Sequence, residues 1–178
     1  MLTLISTATA SASSSLDITS GINSTYNEYQ FHMVNIHAAT GDSAFGFQFN
    51  AVGGSGFNET ITSTAFKAEH AEDGSGQGLG YNTGEDQAEG TAYQRLTYLQ
   101  QIANDEAYSG VLTVYDPSST TYVKHFTAIG NYVHYSGKYS QNLFAAGYVN
   151  TTSALDEISF KMESGNIDAG TIYMYGVG

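Results

Sequence analysis

The chain has 178 residues, enough for one domain with a real core, and its Lys+Arg count of 5 against an Asp+Glu count of 17 gives a net charge of −12. Such a surface repels phosphate backbones and anionic lipid, which argues against nucleic-acid and membrane-surface partners. Charged residues make up only 12% and aromatics 13%, with 14 Tyr, no Trp and no Cys; this excludes disulfides and thiolate metal sites and points to a β-rich body with much polar, uncharged contact surface.

Residues 1–15 form a Ser/Ala/Thr-rich run behind Leu2, Leu4 and Ile5. The apolar stretch is too short for a signal peptide and lacks a basic flank. A run of this composition cannot offset its ordering entropy alone. It is expected as an extended arm docked on a partner, the other placement being along its own sheet.

The body, 16–178, is expected as a single domain. Tyr29, Phe31 and Met33 alternate with Gln30, His32 and Val34 as a strand, Asn35 to Asp42 turns the chain, and Phe45, Phe47 and Phe49 mark a core strand. Gly53–Gly56 is a loop, and Thr60 to Ala68 reads as another strand. Glu69 to Gly90 is an acidic, Gly-rich excursion, read as a long loop. Its Glu69, Glu72 and Asp73, with His70 between them, are weak candidate ligands for calcium; their spacing does not match an EF-hand loop, and no cofactor is otherwise expected. Tyr93 to Ile102 fits either a short helix or a strand. Val111 to Tyr115 and Tyr122 to Ile129 form a hairpin about Asp116-Pro117-Ser118-Ser119, and Leu143 to Asn150 is a further strand with Phe144, Ala146 and Tyr148 on one face. The chain closes with Ile158, Phe160 and Met162 alternating in one limb and Ile172 and Met174 in another. Gly165, Asn166 and Gly170 lie between the limbs, which are expected as a terminal β-hairpin whose last strand sits inside a sheet.

Eight or nine short strands with regular turns predict an all-β antiparallel sandwich, jelly-roll-like. No motif of nucleophilic, metal-hydrolytic or nucleotide chemistry occurs. The acidic pairs Asp105-Glu106 and Asp156-Glu157 are adjacent, so in a strand their side chains diverge and neither makes a catalytic dyad. No enzymatic activity is expected.

Four segments, Thr19–Tyr29, Asp116–Phe126, Gly147–Ala154, and Ile158–Gly170 with Tyr175-Gly176, resemble in the same order a family of virion structural proteins of marine tailed phages, including phages of cyanobacteria. The resemblance implies a virion component made in the host cytoplasm and carries over no catalytic residue. The leading expectation is a capsid decoration (cement) protein, a homo-oligomer with a trimer favoured, contacting the major capsid protein or other virion proteins. Leu2, Leu4, Ile5, Tyr26, Tyr122, Tyr173 and Tyr175 are the expected interface residues. The rivals are a tail or tail-fibre component with a receptor- or glycan-binding role, and a free-standing carbohydrate- or calcium-binding module.

Overall fold

The computed structural model describes residues 1–134 and 138–178. Among these there is no helix. Twelve strands run β1 (Leu2–Thr9), β2 (Leu16–Ile18), β3 (Glu28–Ala38), β4 (Phe45–Ala51), β5 (Ile61–Ala71), β6 (Gln77–Tyr81), β7 (Gln94–Arg95), β8 (Tyr108–Tyr115), β9 (Lys124–His134), β10 (Tyr139–Val149), β11 (Leu155–Met162) and β12 (Ile167–Val177). They form an eight-stranded sheet, ordered β1-β12-β3-β8-β9-β10-β5-β6, facing a four-stranded sheet, ordered β2-β11-β4-β7. All named pairings are antiparallel, and the pairs nest: β3 with β12, β4 with β11, β5 with β10, β8 with β9. That nesting is the folded-over hairpin of a jelly roll, with the strands divided unevenly between the sheets.

The alternating patterns bury the expected faces. Tyr29, Phe31 and Met33 of β3, Phe126 of β9 and Ile172 and Met174 of β12 point inward from the large sheet, against Phe45, Phe47, Phe49, Ile158 and Phe160 of the small one. Phe160 sits at the centre, 5.7 Å from Phe31, 6.1 Å from Phe45 and 6.4 Å from Phe47 between ring centroids. Beneath the middle of the large sheet the Tyr108 ring lies across Gly110 of its own strand and Gly130 of β9; a Cβ on Gly130 would sit 2.3 Å from that ring.

Four expectations are corrected. The terminal limbs are not a hairpin: β11 pairs with β2 and β4 in the small sheet, while β12 lies between β1 and β3 in the large one. Each limb has one apolar face, and folding the turn over sets those faces against each other in the core, which a flat hairpin cannot do. β12 is interior to its sheet, as expected. The N-terminal run lies along its own sheet, with β1 paired to β12 from Leu2↔Val177 to Thr9↔Thr171 and Ser13 bridged to Ile167. Without it the backbone groups along that edge of β12 would be unpaired, and the strand ladder supplies what the small side chains cannot. The acidic excursion is not one loop: β5 runs on to Ala71, and β6 returns beside it in register from His70↔Gln77 to Phe66↔Tyr81. Between Tyr93 and Ile102 only Gln94–Arg95 is strand, and the rest is irregular chain pinned to β4 by Thr97 Oγ1, which accepts from Phe45 N at 2.9 Å.

Candidate interaction surface

The outer face of the eight-stranded sheet carries a cross-strand row that follows from the register. It reads Tyr81, Phe66, Phe144, Ile129, Val111, His32, Tyr173 and Thr7, one residue from each strand. Phe66 is 45% exposed, Ile129 47% and Tyr81 57%. One flanking row is Thr64, Ala146, Thr127, Thr113, Gln30, Tyr175 and Leu4, and the other begins Leu79, Ala68, Asn142, Asn131 and Ser109. None of these rows contains Asp, Glu, Lys or Arg, on a chain whose net charge is −12. An uncharged surface with exposed aromatic and β-branched side chains, on a body otherwise so acidic, has the composition of an interface centre.

The size fits as well. Eight strands at about 4.8 Å spacing give a row about 34 Å long, and three rows about 6.7 Å apart with their side chains cover on the order of 700 Å². A standard interface takes about 800 Å² from each partner. A depression of about 310 Å³ lies in this face between Phe66, Phe144, Ile129, Val111 and the threonines. Phe66 and Phe144 stack with centroids 4.7 Å apart and planes within 5°. Rings so close cannot be coplanar, so their normals point largely along the row. The pair therefore presents ring edges outward, a ridge for packing rather than a flat platform for a sugar ring. At the row's end the Tyr81 hydroxyl donates to Asp86 at 2.6 Å, which fixes its ring.

The residues expected at an interface divide. Leu4, Tyr173 and Tyr175 lie in these rows, and Leu2 pairs with Val177 at the same end. Ile5 falls at the β1 bulge and packs partly against the core. Tyr26 also packs on the core, edge-on to Tyr29 at 5.9 Å and over Gly176. Tyr122 is 71% exposed in the β8–β9 connection, apart from the face. Phe66, Phe144, Ile129, Val111 and Tyr81 are not among the residues expected at an interface. Their signal is an apolar residue out of phase with a buried neighbour, as in Leu143-Phe144 and Ala128-Ile129.

Two of the three carboxylates proposed for calcium, Glu69 and Asp73, are engaged within the chain. Glu69 meets Lys67 Nζ at 2.9 Å and accepts from Gln141 Nε2 at 2.6 Å. Burial works to raise its pKa, but those hydrogen bonds and the Lys67 charge hold it below the ordinary value. Asp73 Oδ1 accepts from Ser75 N at 2.8 Å and closes the β5–β6 turn. Among the described residues no group of three or more His, Asp or Glu is placed to hold a metal ion.

A second concavity, about 580 Å³, opens on the outer side of the small sheet beside Gly46, Tyr93, Arg95, Lys161 and Glu163. Its charges are largely spent on one another. Arg95 Nη2 donates to both Glu163 oxygens at 2.7 and 2.6 Å, Arg95 Nη1 stands 3.7 Å from Glu85, and Lys161 Nζ lies 4.3 Å over the Tyr93 ring. Glu85 is buried with neither carboxylate oxygen hydrogen-bonded, and burial raises its pKa against the opposing pull of Arg95. The arrangement is a clamp that ties residues 84–95 to the small sheet. Comparison with family models, with curated proteins and with solved structures gives no match.

Proposed function

We propose that this chain is a virion structural protein of a tailed phage, a capsid decoration protein that stabilises the head by protein–protein contacts. The observation that carries the contact role is the uncharged, aromatic-ridged outer face of the eight-stranded sheet, about one standard interface in size. The virion itself rests on the resemblance of the four sequence segments. The strand-rich body and the self-contained charge pairs of the small-sheet concavity fit a protein that works by binding. The partner in this reading is the major capsid protein or a neighbouring virion protein. The edge-on geometry of Phe66 and Phe144 favours it over a glycan-binding module.

The test is copy number in purified particles, by quantitative mass spectrometry against the major capsid protein. The proposal expects a one-to-one ratio or a simple fraction of it. A few copies per particle would move the protein to the tail or its fibres, and absence would overturn the virion reading.

A further inference from the structure

We infer that β6 is the seam of a two-fold homodimer, in which the strand pairs antiparallel with its own copy about Leu79. The inference goes beyond the proposed place on a particle and does not depend on it.

β6 is the edge of the large sheet, and all five of its residues are exposed. Its sequence is Gln77-Gly78-Leu79-Gly80-Tyr81. Natural edge strands are usually blunted by a charge, a proline or a bulge. β6 has none of the three, and its register with β5 is unbroken. The opposite edge, β1, is broken by a bulge between Leu4 and Ser6. The hydrogen bonds from Ala71 N to Gly76 O and from Asn82 N to Ala65 O set the alternation along β6. Gly78 and Gly80 face β5 with their backbone groups, and Gln77, Leu79 and Tyr81 turn theirs outward.

The order of residues is self-complementary. An antiparallel partner centred on Leu79 sets Leu79 against Leu79, Gln77 against Tyr81 and Gly78 against Gly80, so the outward N–H and C=O groups of all three outward residues find partners. Leu79, 77% exposed in the single chain, meets its own copy. The glycines leave the extended backbone of β6 unobstructed. Neither has a positive φ. A Cβ on Gly80 would meet nothing within 4 Å, and one on Gly78 only the Glu69 side chain at ordinary distance. The chain's own packing therefore does not call for glycine, although glycine weakens a strand. The symmetric pairing is isologous and closes at two copies rather than the three expected from the sequence. It also joins the two outer faces into one uncharged surface.

The test uses the full chain. Sedimentation equilibrium of the wild-type protein should give a concentration-dependent species of twice 19.0 kDa. Leu79→Lys, whose backbone N–H faces away from β5, should keep the circular dichroism and melting of the single chain and weaken dimerisation at least tenfold. The chain has no cysteine, so Leu79→Cys supplies a single thiol. Directly paired residues lie within disulfide reach, and mild oxidation should give a covalent dimer that a Tyr122→Cys control does not. A wild-type protein monomeric at every concentration would overturn the inference. So would dimerisation that Leu79→Lys leaves intact, or that Ile129→Lys abolishes in its place.

Discussion

Ile129→Lys puts a charge at the middle of the outer face without touching the core. Ile129 is 47% exposed, so roughly half of its burial energy has not been realised in the free chain. Fully burying such a side chain contributes about 1.5–3 kcal/mol, so covering the exposed half contributes about 1 kcal/mol to attachment. In the proposed contact the substitution removes that and sets an unpaired ammonium against rows that hold no acid, at a further cost of several kcal/mol. A combined loss above about 2 kcal/mol weakens each contact about 30-fold. The fold itself should lose no more than about 0.5 kcal/mol, because the lysine can reach water in the free chain. The assay is co-sedimentation of purified protein with particles lacking it, alongside a melting curve. Folded Ile129→Lys protein occupying particles like wild type would refute the assignment of this face.

Gly130→Ala should destabilise by about 1–3 kcal/mol in urea unfolding, since its Cβ would lie 2.3 Å from the fully buried Tyr108 ring, which has nowhere to move; a neutral effect would mean the ring is not held there. Glu85 has a raised pKa in the folded chain, so the stability linked to its protonated form is full below the unfolded carboxyl's pKa and is lost as pH rises through the folded value. Glu85→Gln cannot ionise, so its stability relative to wild type should climb between pH 4 and pH 7, and parallel unfolding profiles would contradict this. Lys124 is buried and its Nζ donates to Thr151 O at 3.1 Å and Ser153 O at 2.6 Å. Lys124→Met leaves both carbonyls without that donor and should cost about 1–3 kcal/mol, read by urea unfolding, with faster proteolysis in 150–154; an unchanged rate would refute the pinning role. Calcium at millimolar concentration should leave the melting temperature unmoved, because Glu69 and Asp73 are already engaged; a rise would restore the calcium reading.

Where an element has one dry face, its sequence announces it. Phe45, Phe47 and Phe49, or Ile172 and Met174, are visible as period-two patterns because burial acts on every second residue. Sheet membership is not visible in this way. The limbs of β11 and β12 look the same as a flat hairpin or as a turn folded across the core, and only the need to bury both faces together decides it. β2 and β7 are too short to show a period, and β1 is held by backbone bonds that any side chains allow. The outer face was half legible. Tyr173 and Tyr175 stand out as aromatic residues opposite Ile172 and Met174, whereas nothing in the sequence marks Phe66, Phe144 and Ile129 as facing outward. Their relation appears only when the register aligns eight strands that are distant in sequence. The Gly-rich stretch at 76–80 read as loop because glycine usually breaks strands, and the edge it forms is legible only beside β5.

The outer face of the eight-stranded sheet is the surface by which we propose this protein is held. Covalent footprinting of particle-bound against free protein, resolved by residue, tests it most directly. Labelling at Phe66, Phe144 and Ile129 should fall in the bound state, with Tyr122 labelled equally in both. Equal labelling of the three in bound and free protein, with protection at the Tyr122 connection or the small-sheet concavity, would contradict it.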